Sequence, residues 1–196
     1  KHDPKTGEPS GLLQEPGAMN FISRIMPKPP KEEIVKSLIW LQSWLNAKGI
    51  TTTHEAMLGI DESHLYQAYE ELAQAGKMTV RYRASWTISP EGDAKSQIDQ
   101  AKILAKKFSH PHFRAHSFKF FADHVIEEET GYLLEPYAHR DDNWDGIKVW
   151  DDDILRKAFI QIDSAGYQIH VHVIGDAAAQ YTLDALQAMV ATNGER

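Results

Sequence analysis

Short β-branched or alternating segments are separated by helical patterns along most of this chain, and that alternation restricts its fold more than any other feature. Strands are predicted at residues 49–54, 78–86, 117–123 and 167–174. A repeated strand–helix–strand order implies a parallel sheet with right-handed crossover connections. A closed (β/α)8 barrel needs about eight such units. The sequence therefore predicts an α/β fold with parallel strands, either a small open sheet or a partial TIM barrel whose remaining strands are not in this chain.

The periodic pattern begins only after an initial stretch that is rich in Pro and Gly. Residues 1–30 predict an irregular entry segment with a short helix at 18–25. Residues 31–196 predict a partial (β/α) barrel domain that is incomplete at both ends. Within it we expect a helix at 94–107 and a long polar and aromatic loop at 125–150. Long loops of this kind are often functional.

Acidic residues mark several of the predicted helix starts. Aspartate side chains accept hydrogen bonds from the free backbone N–H groups of a first helical turn. Asp61 and Asp176 are each expected to cap a helix. The run Asp151–Asp153 suits the positive end of a helix dipole, so we expect it to begin a helix and not to form a metal cluster.

The composition excludes several functional classes. The formal net charge is −7 and no cluster of Lys and Arg could follow a phosphate backbone, so nucleic-acid binding is not expected. The chain has no cysteine, which excludes disulfides and thiolate metal sites. No stretch is apolar enough to span a membrane or is typical of a signal peptide, so a cytoplasmic location without membrane contact is expected. Any metal would be held by His, carboxylate or modified Lys.

Two histidines alternate along the last predicted strand. Residues two apart in a strand share a face, so His170 and His172 point to one side and Val171 to the other. His172 lies near the carboxyl end of the strand, where α/β barrels place catalytic groups. The spacing alone leaves two interpretations open. The pair could serve an active site, or both histidines could be buried and bonded to backbone or water.

A lysine lies among aromatic residues in the third predicted strand, on the same face as Phe121 and Asp123. A buried lysine is rare unless it is paired or used chemically. Lys119 could pair with a carboxylate, form a Schiff base with a carbonyl substrate as in lysine-dependent aldolases, or be carboxylated by CO2 and bridge two metal ions. The residues alone leave all three uses open.

Three motifs occur in an order that matches a known family. They are the stretches 119–123 (KFFAD), 133–137 (LLEPY) and 172–178 (HVIGDAA). Together they resemble the YtcJ-like branch of the amidohydrolase superfamily, of which N-substituted formamide deformylase is a characterised type. Residues 6–15 are similar to the family's segment leading into the barrel, and residues 49–56 to its second barrel strand. The resemblance therefore runs through nearly the whole chain as an internal fragment.

The resemblance implies a TIM-barrel hydrolase that cleaves non-peptide carbon–nitrogen bonds in small amide-type substrates, with one or two divalent metal ions, usually zinc. It places Lys119, in carboxylated form, and His172 at two of the family's metal ligands. It also implies that residues 31–196 belong to the catalytic domain. The family's first-strand His-x-His would lie before this segment, and its sixth-strand His and last-strand Asp after it. Since a catalytic zinc needs about three protein ligands, the isolated segment is expected to be inactive.

Two positions depart from the family pattern. His124 stands where the family usually has Gly, which either changes the local turn or adds a polar group to the site. Glu55 stands where the family often has Asp. Together with Tyr137 and Trp144 in the long loop, His124 is a candidate substrate-binding residue.

A histidine-rich tract precedes and enters the third strand. Such tracts can hold metals, but a helix-to-strand position in a barrel lies on the face opposite the active site. We therefore expect surface residues here: His110, His112 and His116.

Three hypotheses compete for the chain. A segment of an amidohydrolase predicts a divalent ion near Lys119 and His172. A Schiff-base aldolase predicts that borohydride traps a carbonyl compound on Lys119 without metal. A non-catalytic partial barrel predicts self-association into a homo-oligomer, because uncovered edge strands invite pairing. The order of the motifs favours the first hypothesis.

Overall fold

The computed structural model describes residues 1–13 and 15–195. The chain separates into two compact units, Lys1–Pro30 and Lys31–Arg196, each with its own internal contacts. Within the described ranges, no helix combines the length and the apolar character that crossing a lipid bilayer would require.

The first unit contains a hydrogen-bonded turn and one short helix. His2 forms an antiparallel bridge with Pro9, and Asp3 Oδ1 accepts hydrogen bonds from the two backbone N–H groups of the turn that follows, at 2.8 and 2.9 Å. The helix α1 spans Glu15–Ser23, so it begins and ends earlier than the helix predicted at 18–25. Local bonds of this kind fix the turn without a strand ladder.

The second unit is a four-stranded sheet with helices between its strands. Its elements in chain order are α2 Lys31–Asn46, β1 Thr52–Gly59, α3 Ser63–Gln74, β2 Arg81–Thr87, α4 Ala94–Lys107, β3 Phe113–Phe121, α5 Asp152–Ser164, β4 Gln168–His172 and α6 Asp176–Asn193. The strands lie in the order β1-β2-β3-β4, and each neighbouring pair is parallel. The predicted α/β class with parallel strands is confirmed.

One face of the sheet forms a dense apolar core with the helices. Five residues of β2 and β3 on this face are at most 1% exposed: Tyr82, Ala84, Trp86, Phe118 and Phe120. Phe120 packs edge-to-face on Trp150 and Phe159, with ring centroids 5.3 and 5.2 Å apart. Because residues two apart along a strand share a face, this alternation decides which side of each strand meets the helices.

Two helices begin where the sequence predicts. The helix α4 occupies the predicted range 94–107, and Asp93 caps it, with Oδ2 accepting from the Ser96 N–H at 2.8 Å. Asp151 caps α5, and its Oδ1 accepts from the backbone N–H groups of Asp153 and Ile154, at 2.9 and 3.2 Å. The acidic run 151–153 is therefore confirmed as a helix start.

Two other predicted caps are wrong. The residue at the N-cap of α3 is Glu62 and not Asp61, and its side chain makes no capping bond. The N-cap of α6 is Gly175, and Asp176 is the first helical residue. From that first helical position, Asp176 Oδ1 accepts from the Ala177 N–H and from the Leu134 N–H, both at 2.9 Å, so this carboxylate joins the long loop to the helix.

The strand β3 begins at Phe113 and not at residue 117 as predicted. The pairing with β2 passes from Ala84↔Ala115 to Ser85↔Ser117, which leaves His116 as a bulge. A bulge inserts one extra residue into a strand and re-aims the side chains beside it. Polar residues within 113–116 therefore belong to the sheet.

Candidate functional site

The side of the sheet opposite the apolar core carries the residues that the sequence singles out. Lys119 is aligned with His170, and Phe121 with His172, across the parallel pair β3–β4. Aligned residues in parallel strands share a face. These four side chains therefore lie together towards the carboxyl ends of β3 and β4, on what we term the inner face.

Lys119 is a buried lysine of the inner face. It is 6% exposed, and its Nζ lies 4.6 Å from the centroid of the Phe121 ring. Across residues 1–13 and 15–195, no carboxylate lies within ion-pair distance of this amine. Burial lowers the pKa of Lys119 from its ordinary value. This geometry disfavours the carboxylate-pairing interpretation, and the lowered pKa increases the fraction of the neutral, nucleophilic amine.

The His172 imidazole is held through one of its two nitrogens. Its Nε2 lies 2.9 Å from the backbone carbonyl oxygen of His124, and a carbonyl can only accept, so Nε2 carries the proton. In the neutral ring this leaves the lone pair on Nδ1. The ring centroid of His172 lies 5.3 Å from that of Phe121, so the histidine and Lys119 approach the same aromatic ring.

Asp123 has a role that sequence reasoning missed. Its carboxylate is fully buried and accepts three backbone N–H groups, from Tyr132 at 2.9 Å, Ile174 at 2.9 Å and Gly175 at 2.6 Å. We term this arrangement the Asp123 clamp. It ties the end of β3, the long loop and the turn after His172 into one unit. A buried aspartate needs hydrogen-bond donors around its carboxylate. Its place at the end of an apolar strand was the sequence signal for such a role.

Gly175 is required by the backbone that lies against it. A Cβ at this position would lie 1.8 Å from the carbonyl oxygen of Tyr132, and no side chain fits at that distance. The same oxygen accepts a hydrogen bond from the Ala178 N–H at 3.2 Å. The long loop therefore packs directly on the first turn of α6.

One buried serine, Ser85, links two histidines and a second buried serine. Ser85 Oγ lies 2.6 Å from Ser117 Oγ, 2.7 Å from His54 Nε2 and 3.4 Å from His170 Nδ1. Burial is the largest cause that lowers the pKa of both His54 and His170. Both imidazoles are therefore favoured in the neutral form. For His170 this supports the interpretation of a histidine bonded to protein groups.

The prediction that His116 is a surface residue is wrong. The β3 bulge places its ring 6.2 Å from the ring of His54, and its Nδ1 is buried without a hydrogen-bond partner among the described residues. His110 and His112 lie at the amino end of β3 and are half-buried, and His112 Nδ1 lies 2.9 Å from the Met78 carbonyl oxygen. Sequence position alone could not show the bulge, because it arises from pairing with β2.

The polar atoms of the aromatic residues proposed to bind substrate are hydrogen-bonded within their own loop. Tyr137 is buried, and its hydroxyl donates to the Gly131 carbonyl at 2.8 Å. The Trp144 indole N–H donates to the carbonyl of Glu129. His124 adjoins the clamp and supplies the carbonyl that holds His172. Their contact with a substrate stays a prediction.

An ion-pair network closes the same loop on its exposed side. The Glu129 carboxylate is bonded by His139 Nε2 and by Arg140, and Arg140 also pairs with Asp142. The bond from His139 and then the bond from Arg140 hold the pKa of Glu129 below its usual value. These contacts make the loop an ordered structure in its own right.

A cavity of about 530 Å³ opens at the carboxyl ends of β1 and β2. Its polar lining includes Asp61, Glu62, Thr87 and Asp93. The predicted substrate residues lie elsewhere, on the β3–α5 loop. Thr87 lines this cavity and is aligned with Lys119 across the pair β2–β3.

The described part of the site places few side chains where they could bind one metal ion. Within residues 1–13 and 15–195, no group of three or more His, Asp or Glu side chains is placed to hold one ion. Lys119 and the Nδ1 of His172 are two donors of suitable chemistry on the inner face. A modified lysine adds oxygen ligands that an unmodified one lacks.

Comparison with known proteins now places the chain. A sequence profile of the amidohydrolase family matches residues 2–196. The chain belongs to the amidohydrolase family. This amidohydrolase segment is 30% identical over 190 residues to the YtcJ protein of Bacillus subtilis (strain 168), covering 96% of the segment and 34% of that relative. It is also 25% identical over 184 residues to the exoenzymes regulatory protein AepA of Pectobacterium carotovorum, covering 93% and 38%.

Solved structures show the same fold. An uncharacterised metal-dependent hydrolase from Pyrococcus horikoshii matches with a TM-score of 0.72 and 20% identity, over 95% of this chain and 36% of that one. A second, from Pyrococcus furiosus, matches with a TM-score of 0.69 and 22% identity, over 96% and 37%. The amidohydrolase segment spans a little over a third of each, and the resemblance to the YtcJ-like branch is confirmed.

Proposed function

We propose that this chain is a segment of a metal-dependent hydrolase that cleaves non-peptide, amide-type carbon–nitrogen bonds in small molecules. One observation carries the proposal. Among the described residues, a buried lysine without an acidic partner and a histidine with a free Nδ1 share the inner face, at the end of the strands where barrels place their chemistry. Family membership supports the hydrolase class, and bond type and substrate are inferred from the resemblance.

The donor set fits a divalent ion of the zinc type. A neutral lysine amine adds CO2 to give a carbamate, whose oxygens are anionic ligands, and burial favours the neutral amine at Lys119. The Nδ1 of His172 is a borderline-soft nitrogen donor suited to zinc. One or two ions held there would polarise the scissile carbonyl and lower the pKa of water to about 7.

The other residues of the chain position this pair. Phe121 lies against both Lys119 and His172 and limits the approach of water to the amine. The clamp and the β3–α5 loop fix the peptide on either side of His172. We infer that Tyr137, Trp144 and His124 place the loop against the substrate. Two protein ligands are fewer than the roughly three of a catalytic zinc site, so the segment alone is expected to bind metal without turnover.

Elemental mass spectrometry after dialysis against Zn²⁺ tests the proposal. Lys119→Ala and His172→Ala should each lower the zinc content several-fold, because each removes one of two protein ligands. His139→Ala is the matched control, since this exposed histidine lies outside the inner face. Equal zinc content in all variants, or none in the unaltered chain, would contradict a metal site at these two residues.

A Schiff-base reaction is the second candidate, because the same buried amine is a suitable nucleophile. Borohydride reduction in the presence of a simple ketone or aldehyde distinguishes the two. A stable adduct on Lys119, formed without metal and absent from Lys119→Ala, would favour the aldolase hypothesis. We expect no such adduct.

A further inference from the structure

We propose that Asp123 is a positioning residue that fixes the orientation and tautomer of His172. Its buried carboxylate holds the turn after His172 and the peptide that bonds the imidazole, so that Nδ1 is kept free. The identity of the ligand for Nδ1, a divalent ion, rests on the proposed function. The clamp itself rests on hydrogen bonds within the chain.

Three consecutive residues after β3 each hold one part of the His172 segment. The Ala122 N–H donates to the His172 carbonyl oxygen at 2.9 Å. Asp123 accepts from the N–H groups two and three residues beyond His172, at 2.9 and 2.6 Å. The His124 carbonyl accepts from the ring Nε2 at 2.9 Å. The histidine is therefore fixed at its own peptide, at its ring and at the turn that follows.

Burial makes the Asp123 bonds strong determinants of this geometry. A carboxylate removed from water must have its lone pairs occupied, and here three backbone N–H groups occupy them. Gly175 is the N-cap of α6, so the carboxylate also lies at the positive end of that helix. Neither the Asp123 side chain nor the turn can move without leaving a buried charge or a buried N–H unpaired.

The clamp also joins the long loop to the turn that follows His172. Tyr132 donates its N–H to Asp123, and its carbonyl oxygen accepts from Ala178 on α6. The contact is so close that only glycine fits at position 175. A displacement of the β3–α5 loop is therefore transmitted to the turn that follows His172.

The chemical consequence concerns which ring nitrogen binds a ligand. A neutral imidazole has one donor and one acceptor nitrogen, and the bond made by one nitrogen decides the other. With His124 held in place, Nε2 is the donor and Nδ1 the acceptor. Release of the clamp would free the carbonyl and allow both tautomers.

Asp123→Asn tests the positioning role. The amide can accept through one oxygen only, and its NH2 group then faces at least one backbone N–H. The matched control is Asp163→Asn, because Asp163 is also buried, at 8% exposure, and accepts from Asn193 Nδ2 at 2.7 Å within the α5–α6 contact. Long-range 1H–15N correlation spectra of the imidazoles report the tautomer, and His172→Gln assigns the signals. Zn²⁺ titration of the same proteins reports ligand affinity.

We expect His172 to be the Nε2–H tautomer in the unaltered chain and in Asp163→Asn, and a mixture of both tautomers in Asp123→Asn. The affinity of Asp123→Asn for zinc should be lower than that of the control by a factor of about 10–100, the usual effect of losing a group that orients a metal ligand. An unchanged tautomer, or an unchanged zinc affinity, would overturn the positioning role. If the tautomer responds but the unaltered chain binds no zinc, the clamp stands and the proposed metal function fails.

A second variant covers the case in which Asp123→Asn does not fold. Gly175→Ala leaves the Asp123 carboxylate in place and disrupts the clamp because the added Cβ clashes with the Tyr132 backbone. It should produce the same mixture of tautomers. In the unaltered chain, the amide hydrogens of Ile174 and Gly175 should exchange slowly with solvent, and rapid exchange of both would refute the clamp without any variant.

Discussion

Truncating two neighbouring phenylalanines of β3 should have very different effects on stability. Phe120 faces the helices, is fully buried and touches the rings of Trp150 and Phe159. Phe121 faces the inner side and is only partly buried. Phe120→Ala should therefore be strongly destabilising, and Phe121→Ala mildly so.

The magnitudes follow from burial and from the lost ring pairs. Truncation of a buried phenylalanine costs about 3–5 kcal/mol. Two edge-to-face partners, each contributing about 0.5–1.5 kcal/mol beyond area burial, place Phe120→Ala at about 4–5 kcal/mol. Phe121→Ala removes less apolar area from contact and should cost about 1–2 kcal/mol.

Urea denaturation followed by circular dichroism measures both values. With an m-value of about 2 kcal/mol per M, Phe120→Ala should lower the midpoint by about 2 M and Phe121→Ala by less than about 1 M. An equal m-value in all three proteins is the control for an unchanged denatured state. Similar midpoints for the two variants, or the reverse order, would refute the assignment of core and inner faces on which the site depends.

Two further outcomes are expected. Asp151→Ala should lower the free energy of unfolding by about 1 kcal/mol through loss of the α5 cap, measured by the same denaturation, and no loss would contradict that capping role. The pKa of Glu129 is lowered below 4.5 in the folded chain, so its contribution to loop stability is complete above pH 4.5 and is lost as the pH falls through the folded pKa. Acid titration of the Glu129 carboxyl 13C chemical shift should therefore show a midpoint below 4.5, and Arg140→Gln should raise that midpoint towards the value of a free glutamate; a midpoint that does not move would contradict the ion-pair account.

The parts of the fold that the sequence predicts are those decided locally. The bounds of α4 and the start of α5 depend on a capping aspartate and on helical spacing within one segment. The early part of β3 could not be predicted, because Arg114 and His116 are polar and belong to the sheet only through their pairing with β2. The Asp61 and Asp176 caps failed for a similar reason, since the neighbouring residue reaches the cap position when the preceding turn is folded.

The candidate site likewise combines features that the sequence predicts with features that only the fold shows. The alternation of side chains with a period of two along each strand follows from sequence. The parallel register that brings Lys119 and His172 to one face is visible only in the structure. The Asp123 clamp does not follow, because its three donors lie 9, 51 and 52 residues away. The loop aromatics Tyr137 and Trp144 could equally have faced a substrate or their own loop. Only the folded loop shows that their polar atoms bond to it.

The strand order β1-β2-β3-β4 has a consequence for synthesis of the chain. Each of β2, β3 and β4 leaves the ribosome after the strand beside which it pairs, so the sheet can grow by one strand at a time. The exception is the interval between Phe121 and Gln168, which holds 46 residues. At about 5–20 residues per second, β3 waits roughly 2–9 s for β4. During that delay the edge carrying Lys119 is open, and this is the stage at which a nascent chain most needs protection from pairing with another copy.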